Sequence, residues 1–425
     1  MFSRRNFLRS VAALPVAHAA SAFPVPSPET LLPALGSLRS RKGEAHPIPR
    51  EERAQRQEKA RRLMAENHLD AILLMAGTSL DYFTGIHWWG GERTFACVLP
   101  AKGDAFYVCP AFEEGRAREQ FLGSPNAAHA DLRTWHEDES PYRLIAGGLK
   151  DRGIATGTLG IEETVRFVFS DGVSKSAPQV MLSSATPVTA GCRAIKSATE
   201  LALMRLASQV TLIAYEAAYR SIRPGMTQNE FAGLVAKAHD CLGFPGEANV
   251  QVGTSSALPH GSIEPQVIRE GTILLMDGGC QVEGYNSDIS RTFVLGKPTE
   301  AMKKVFDVVH AAQTAALKAA RPGVECQAAD AAARAVVANA GFGPDYTHFS
   351  HRVGHGMGMD GHEWPYLVRG NTTKMEPHMI FSDEPGIYIR GEFGVRLEDD
   401  MHITENGAEL FTPQSPSLED PFGKG

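Results

Sequence analysis

The sequence predicts a mixed α/β protein of two domains, the second of which is built from two similar halves. The chain has 425 residues, and single hydrophobic cores stop growing at roughly 250 to 300 residues. Helix-like and short strand-like apolar runs alternate in the first part of the chain. In the second part an Arg-Pro-Gly landmark followed by a helix-like run occurs twice, which indicates an internal repeat.

The amino-terminal residues resemble a bacterial twin-arginine export signal. Ser3-Arg4-Arg5-Asn6-Phe7-Leu8 precedes a short apolar run, and Ala17-His18-Ala19 or Ala20-Ser21-Ala22 matches a signal cleavage site with small residues at its first and third positions. The run is too short and too rich in alanine for a permanent membrane span, which needs about 20 apolar residues. We therefore expect a signal over residues 1–22 and a periplasmic or exported protein. Residues 23–49, rich in Pro, Ser and Arg, are predicted to be a linker.

The first folded unit is expected over residues 50–190. A helix-like stretch from Glu51 to Asn67 leads into the apolar run Ala71 to Met75. Two further short runs, Phe95 to Leu99 and Ala105 to Val108, have the length and composition of strands. This order of elements is typical of a small α/β domain.

The second unit is expected over residues 194–415, followed by a short tail at 416–425. It opens with a long amphipathic stretch from Ser197 to Ile222. Arg223-Pro224-Gly225, followed by a helix ending at Gly243, recurs 98 positions later as Arg321-Pro322-Gly323, followed by a helix ending at Gly341. We expect two halves related by a pseudo-twofold axis, whose strands form one sheet with the helices on its outer side.

Charge and cysteine content limit the function. The formal net charge of −7 argues against a nucleic-acid partner, because phosphate binding needs clustered Lys and Arg. The six cysteines are scattered and include no C-x-x-C pair, so the pattern assigns no disulfide and no thiolate metal site.

Paired acids mark the candidate site. Asp277 and Asp288 lie in two strand-like runs that flank a turn at Glu283-Gly284, so a hairpin would bring them opposite one another. Two aspartates that converge in this way repel each other unless a cation or a proton lies between them. Glu384 and Glu398 follow similar apolar runs in the second half of the domain.

The acids and one histidine together predict a metal pair. His355 lies between the two acid pairs in a glycine-rich stretch that permits close backbone approach. Four carboxylates and one imidazole form an oxygen-rich set that favours hard divalent ions. Carboxylates that bridge two ions about 3.5 to 4 Å apart are an arrangement for hydrolysis.

The motifs around these residues resemble those of the pita-bread metallopeptidases, family M24, in the branch of Xaa-Pro dipeptidase (prolidase) and aminopeptidase P. The resemblance is strong over residues 194–407 and weaker over residues 50–190, where Asp81-Tyr82-Phe83-Thr84-Gly85 is similar to the creatinase-type amino-terminal domain of the family. The matching motifs of the second domain are Leu275-Met276-Asp277-Gly278-Gly279, Ser287-Asp288-Ile289-Ser290-Arg291-Thr292, Gly354-His355-Gly356-Met357-Gly358, Glu384-Pro385-Gly386-Ile387-Tyr388 and Val395-Arg396-Leu397-Glu398-Asp399.

The resemblance implies a role for each matched position. Asp277 would bind one ion, His355 and Glu384 the other, and Asp288 with Glu398 would bridge the two. The ions are expected to be Mn²⁺, with Co²⁺ or Zn²⁺ as alternatives. Glu384 would also take a proton from the attacking water.

The remaining implied roles belong to three histidines and an arginine. His260 would assist the tetrahedral intermediate or the leaving amine, His362 would contact the scissile carbonyl, and His351 would line the proline side. Arg396 would orient the bridging carboxylates. A homodimer is expected from the resemblance alone.

The substrate is expected to be a small peptide with proline after the scissile bond. Dipeptidase activity is the first expectation, and aminopeptidase P activity on longer peptides is the alternative. Some prolidases place an arginine shortly after the position of His362 to bind the free carboxylate of a dipeptide, but here that stretch reads Glu363-Trp364-Pro365-Tyr366. Arg369 is a candidate substitute. A creatinase-like amidinohydrolase and a non-catalytic binding protein of the same fold remain as further alternatives.

Overall fold

The computed structural model describes residues 33–127 and 130–423. The twin-arginine stretch and the first ten residues of the predicted linker lie outside the described residues. Among the helices of the described ranges, none has the length and apolarity that crossing a membrane requires.

The amino-terminal domain is a six-stranded mixed sheet with helices on both faces. Its strands lie in the order β4-β3-β2-β1-β5-β6, and the central strand β1 is buried at every position. The predicted helix and three predicted strands are present within a residue or two of their expected bounds. The elements are α1 Pro33–Gly36, α2 Arg50–Glu66, β1 Ala71–Met75, α3 Thr78–Thr84, β2 Ala96–Pro100, β3 Phe106–Pro110, α4 Glu114–Phe121, β4 Asp131–Trp135, α5 Pro141–Asp151, β5 Thr158–Ile161, α6 Phe167–Ser176, β6 Met181–Ser184 and α7 Thr186–Ala194.

The prediction of a linker does not hold for residues 33–49. Leu35 and Ile48 are 2% and 5% exposed and pack in one cluster with Met204 and Phe244 of the second domain. The backbone N–H of Arg41 donates to the carbonyl of Leu242 at 2.8 Å. These isolated apolar residues have no periodicity that a sequence pattern could reveal, because they pack in a groove formed by other elements.

The second domain begins with the long helix α8, close to its predicted bounds. Ser197 and Glu200 form a capping box, in which each side chain bonds the backbone N–H of the other residue, and this fixes the helix start. The elements are α8 Ala198–Tyr219, α9 Gln228–Leu242, β7 Gly246–Val252, β8 Ile273–Val282, β9 Tyr285–Asn286, β10 Ile289–Val294, α10 Glu300–Ala319, α11 Gln327–Val337, β11 Gly354–Gly356, β12 Glu363–Leu367, β13 Ile380–Asp383, β14 Gly386–Ile389, β15 Phe393–Arg396, β16 Asp399–Ile403 and β17 Ala408–Leu410.

The internal repeat is present in the structure. Helices α8 and α9 pack on one half, and α10 and α11 pack on the other. In the two turns that precede α9 and α11, Gly225 and Gly323 both have positive φ and donate their N–H groups to Ile268 and Met375. Equivalent local bonds at equivalent places therefore build both halves.

The strands of the halves form two principal sheets, whereas the sequence led us to expect one. The first half has the order β10-β8-β7, with β9 paired to β8, and the second has β12-β11-β13-β16-β17. The sheets meet where the N–H of Glu398 donates to the carbonyl of Ser290 at 3.3 Å. Strands β14 and β15 form a separate hairpin. The strand pairing is therefore interrupted where the two sheets meet, and the acidic residues lie at this junction.

The predicted tail is also packed as far as residue 423. Leu418 is 1% exposed, and its carbonyl accepts the N–H of Val294 at 2.9 Å. The ring of Phe422 lies 5.5 Å from that of Tyr219. The edge strand β10 and helix α8 provide the surface on which these residues pack. Such a surface exists only in the folded protein.

Candidate metal centre

The β8–β9 hairpin positions the first acid pair. Its two-residue turn has positive φ at both Glu283 (49°) and Gly284 (86°), the geometry that matches the twist of paired strands. Val282 pairs with Tyr285 across the turn, and Asp277 lies opposite Ser290. Asp288 immediately precedes β10, so the predicted convergence of the two aspartates across the hairpin is confirmed.

Glycines beside Asp277 allow strands to approach closely. A Cβ on Gly278 would lie 2.4 Å from the carbonyl oxygen of Glu247, and one on Gly279 would lie 1.9 Å from that of Ser287. Neither distance is compatible with a side chain. The Asp-Gly-Gly sequence therefore reflects backbone packing next to the acid.

The second acid pair comes from the other half. Glu384 follows the end of β13, and Glu398 immediately precedes β16, which pairs with β13. His355 lies on the short buried strand β11, which pairs with β13 through Gly356 and Phe381. A Cβ on Gly354 would lie 2.0 Å from the carbonyl oxygen of Ser382, so this strand also needs glycine for close approach.

The structure brings all five predicted metal-binding side chains together. Their ligand atoms fall into overlapping groups whose members lie within 4.8 Å of one another: Asp277 with Asp288 and Glu398, His355 with Glu384 and Glu398, and Asp288 with His355 and His362. Asp288, Glu398 and His355 each belong to two groups, and Asp288 and Glu398 are the two carboxylates among them. A carboxylate has two oxygens and can contact both groups, so these two acids are placed as bridging residues must be.

The buried acids repel one another when no cation lies between them. Burial, followed by the charge of Asp277, raises the pKa of Asp288 well above its usual range. Burial and the charge of Asp288 do the same to the pKa of Glu398, and burial raises the pKa of Glu384 to about 7. Carboxylates crowded in this way bind protons or metal ions to relieve their repulsion.

Asp277 differs because an arginine faces it. Burial alone would raise its pKa, but the charge of Arg396 and the hydrogen bonds from Ser290 and Arg396 lower it. The Nη2 of Arg396 lies 2.6 Å from Asp277 Oδ2. Asp277 is thereby kept ionised and ready to bind a cation.

His355 presents one nitrogen to the acids. Its Nδ1 lies 3.1 Å from the carbonyl oxygen of Gly356, which can only accept, so Nδ1 carries the proton. The unprotonated Nε2 lies 3.4 Å from Glu384 Oε1 and 3.8 Å from Asp288 Oδ2. Burial, together with His362, lowers the pKa of His355 to about 3, which keeps the imidazole neutral as a ligand must be.

The four carboxylates and His355 fit a pair of divalent ions. The fit rests on three features of the residues themselves: oxygen donors that converge from two halves, pKa values that are raised at Asp288, Glu384 and Glu398, and an imidazole nitrogen aimed at the carboxylates. The donor set contains no thiol, since the cysteine nearest in sequence, Cys280, is buried and bonds the carbonyl of Ala207. Hard ions with oxygen ligands suit such a set.

Arg396, which the resemblance assigns to the bridging carboxylates, lies 2.6 Å from Asp277 and 4.0 Å from the bridging candidate Glu398, and it has further partners besides the acids. Its Nε donates to Ser290 Oγ at 2.9 Å and its Nη1 to Tyr388 Oη at 3.0 Å. Ser290 Oγ also lies 2.7 Å from Asp277 Oδ1 and 2.6 Å from Glu398 Oε2. The alternation of apolar and polar residues did not identify Ser290 or Tyr388 as functional. Ser290 lies in the motif Asp-Ile-Ser, and Tyr388 lies in the motif Glu-Pro-Gly-Ile-Tyr.

The three predicted histidines lie around this centre in different settings. His351 is held on both nitrogens: Nδ1 donates to the carbonyl of Arg352, and Nε2 accepts from Tyr388 Oη, both at 2.8 Å. His362 stacks on His355 with 3.7 Å between ring centres. His260 is exposed on a loop, and its charge is a minor factor in lowering the pKa of both His351 and His362.

Two arginines that follow or precede the histidines of the centre in sequence, Arg352 and Arg369, differ in their partners. Arg352, which the sequence pattern did not single out, donates from Nη2 to His362 Nδ1 at 3.1 Å. Arg369, the residue singled out from the sequence, pairs with Asp345 at 2.7 Å. It lines a cavity of about 580 Å³ to which none of the four acids and neither His355 nor His362 contributes. A larger cavity of about 810 Å³ opens onto Asp277 and Asp288.

Family models match both domains. Residues 202–405 match the model of metallopeptidase family M24, and residues 56–195 match that of the creatinase/prolidase N-terminal domain. Together they span almost all of the two folded units.

Individual relatives agree with these matches. The Xaa-Pro dipeptidase of Lactobacillus delbrueckii subsp. lactis is 30% identical over 85% of this chain and 98% of its own length. A probable dipeptidase PepE of Mycobacterium bovis is 34% identical over 81% of this chain and 90% of its own. The crystal structure of dipeptidase PepE from Mycobacterium ulcerans superimposes with a TM-score of 0.82 at 31% identity, covering 88% of this chain and 99% of that one.

Proposed function

The chain belongs to metallopeptidase family M24, and we propose that it is a metal-dependent Xaa-Pro dipeptidase, which hydrolyses the bond before proline in a dipeptide. The observation that carries this proposal is the convergence of four carboxylates and His355 from two pseudo-symmetric halves. Similarity to an Xaa-Pro dipeptidase over nearly its whole length supports the substrate class. Retention of the complete acidic set argues against a metal-free creatinase-like hydrolase.

Two divalent ions would be held by Asp277, Asp288, His355, Glu384 and Glu398, and when bound they supply a Lewis acid and a nucleophile that is active at neutral pH. The chain's own residues then orient the peptide and move protons. Glu384, the acid whose pKa is raised to about 7, is the group proposed to accept a proton from the attacking water.

The histidines are proposed to act on the peptide. Because a guanidinium can only donate, His362 Nδ1 accepts from Arg352 and the ring proton lies on Nε2. We assign this Nε2–H to the carbonyl oxygen of the scissile bond, where negative charge develops. His260 would face the leaving amine, and His351, fixed by Tyr388, would line the proline side.

Three further features belong to the proposal. The bound metal would be Mn²⁺, with Co²⁺ or Zn²⁺ as alternatives, since the donors are mostly oxygen. The motif from Ser3 to Leu8 would act as a twin-arginine signal and direct export to the periplasm. A homodimer is proposed from family membership.

A peptide panel tests the substrate. Purified enzyme saturated with Mn²⁺ should hydrolyse Ala-Pro and leave Ala-Ala largely intact, since the proline ring requires a dedicated pocket. Hydrolysis of Ala-Pro-Ala together with inertness towards Ala-Pro would assign an aminopeptidase instead. Metal analysis of the protein as purified would identify the ion.

Substitution of a bridging acid tests the centre. Asp288→Ala should reduce the bound metal from about two ions to one or none per chain and lower kcat/KM for Ala-Pro by more than about 1000-fold, because the pair of ions can no longer be held. Metal content is measured by elemental analysis and rates by release of proline. Glu283→Ala, in the exposed turn of the same hairpin, is the control. Unchanged metal content and activity in Asp288→Ala would disprove this assignment.

A further inference from the structure

The cavity of about 810 Å³ extends from one end of the metal centre only. Asp277 and Asp288 line it, whereas Glu384 and His351, at the other end of the centre, do not. His351 is assigned to the proline side of the substrate. The cavity is therefore the space that the side chain of the residue before proline enters.

The wall of this cavity is polar and anionic. Among the described residues that line it, none is a branched aliphatic, methionine or aromatic residue, and none is lysine, arginine or histidine. Besides the two metal-binding aspartates, the wall contains two further acids and three amides: Asp240, Glu247, Asn249, Gln281 and Asn286. Such a wall offers an apolar side chain little area to bury, whereas it offers a cation several carboxylate and carbonyl oxygens.

Glu247 lies on the face of β7 that is turned towards the centre. The next residue, Ala248, points to the opposite face and packs in the hydrophobic core. Because side chains alternate along a strand, Glu247 shares its face with Asn249. In the pairing with β8, Glu247 lies opposite Gly279 and Asn249 lies opposite Asp277. Glu247 is thus the diagonal neighbour of Asp277, at about 7 to 8 Å.

Within the described part of the chain, the carboxylate of Glu247 forms neither a hydrogen bond nor an ion pair. Its cross-strand neighbour Gly279 has no side chain to cover it. Asp277 differs, because Arg396 lies 2.6 Å from it. Asp240, exposed in the last turn of α9, adds a second negative charge to the wall. The charge of Glu247 is therefore available to a cation that enters the cavity.

We propose that Glu247 binds the cationic side chain of a lysine or arginine that precedes proline, so that the enzyme prefers Lys-Pro and Arg-Pro among Xaa-Pro dipeptides. The inference rests on the proposed function and names its substrate class. The four-carbon stem of lysine places the ammonium about 6 Å from Cα, which suits the diagonal distance between Asp277 and Glu247. A charged hydrogen bond formed inside a cavity contributes more than an exposed surface pair.

Paired substrates isolate this contact. Lys-Pro and Met-Pro have unbranched side chains of similar length, and only the first is charged. Their hydrolysis is measured with wild type, Glu247→Gln, Glu247→Lys and Glu283→Gln, each saturated with Mn²⁺. Wild type should prefer Lys-Pro about 3- to 10-fold in kcat/KM, and in Glu247→Gln kcat/KM for Lys-Pro should fall by about that factor more than for Met-Pro. Glu247→Lys should prefer Glu-Pro to Lys-Pro. Glu283→Gln, in the exposed turn between β8 and β9, should keep the wild-type preference.

The controls separate folding, catalysis and recognition. Melting temperature and metal content identify any variant that fails to fold or to hold the ions, and Glu247→Lys tests the sign of the charge where Glu247→Gln only removes it. Equal changes on Lys-Pro and Met-Pro in both Glu247 variants would overturn the proposal. Wild-type enzyme that hydrolyses Met-Pro faster than Lys-Pro would also overturn it. Wild-type enzyme that cleaves no Xaa-Pro dipeptide would instead overturn the proposed function, on which this inference depends.

Discussion

At the scale of single residues, the acids of the centre have environments that favour cation binding, but one neighbouring acid has no such role. Asp383 is fully buried, and in the described part of the protein neither of its carboxylate oxygens has a hydrogen-bond partner. It lies directly opposite Asp399 across the β13–β16 pair. Burial and the charge of Asp399 raise the pKa of Asp383 well above its usual range.

Asp383 should therefore make stability fall as pH rises. Above about pH 4 the unfolded chain releases the proton of this residue while the folded protein keeps it, so ionisation favours unfolding until the folded pKa is passed. In Asp383→Asn this loss is removed. The unfolding free energy of the variant relative to wild type should increase as pH rises above about 4.5, by up to about 1.4 kcal/mol per pH unit, until the folded pKa is passed.

Urea unfolding at several pH values, with Mn²⁺ at saturation, measures this difference. The cost of burying an amide in place of a carboxylic acid does not depend on pH, so the trend reports the proton alone. A difference between variant and wild type that stays constant with pH would show that Asp383 is ionised in the folded protein.

At the scale of elements, the loop of His260 is held by a chain of amide side chains along β7. Gln266 Nε2 donates to Gln251 Oε1 at 2.9 Å, and Gln251 Nε2 donates to Asn249 Oδ1 at 2.6 Å. Asn249 then donates to the carbonyl of His260 at 3.2 Å, and Gln251 Oε1 also accepts the N–H of Ser262 at 2.8 Å. Because Asn249 lies opposite Asp277, the chain sets this loop relative to the centre.

Gln251→Leu should release the loop without emptying the centre. Gln251 is 6% exposed, and removing its amide leaves buried groups unpaired at a cost of about 1 to 3 kcal/mol. We expect a fall of roughly tenfold in kcat for Ala-Pro, since misplacement of a catalytic group lowers the rate, and unchanged metal content. Gln209→Leu, which removes an amide that bonds Arg41, is the matched control. Loss of metal from Gln251→Leu would contradict this role.

At the scale of the whole molecule, a buried ion cluster joins the two domains beneath the loop of His362. Arg193, at the end of the first domain, pairs with Glu363 and, at 2.5 Å, with Asp360. Lys196 lies 3.3 Å from Glu363, and Thr78 donates to Asp360 at 2.5 Å. Burial would raise the pKa of Glu363, but Arg193 and Lys196 outweigh it and lower that pKa to about 2, so the cluster stays charged.

Breaking this cluster should cost far more than breaking an exposed pair. Arg193→Met leaves a buried carboxylate poorly compensated and should lower the unfolding free energy by about 3 to 5 kcal/mol. Arg205→Met, which removes the exposed pair with Glu409, should cost less than about 1 kcal/mol. Denaturant unfolding measures both losses. The double variant Arg193→Met/Glu363→Gln should lose less stability than the sum of the single variants, and strict additivity would refute the coupling.

The sequence by itself determined the two α/β domains, the repeat, and the five side chains of the centre. It could do so because these features are local: the acids lie next to short apolar runs, the turn at Glu283-Gly284 fixes a hairpin, and glycines mark close backbone approach. Family motifs then gave each residue an expected role. Membership of family M24 agrees with that prediction.

Only the tertiary structure decided which residues surround the centre. Ser290 and Tyr388 acquire partners from distant parts of the chain, and Arg352 contacts His362 across the intervening loop. Arg369, which adjacency in sequence had suggested, pairs elsewhere. The packing of Leu35, Ile48 and Leu418 and the division of the strands into two sheets were likewise missed. The physical reason is that these features depend on which surfaces meet after folding, and no pattern of neighbouring residues records such a meeting.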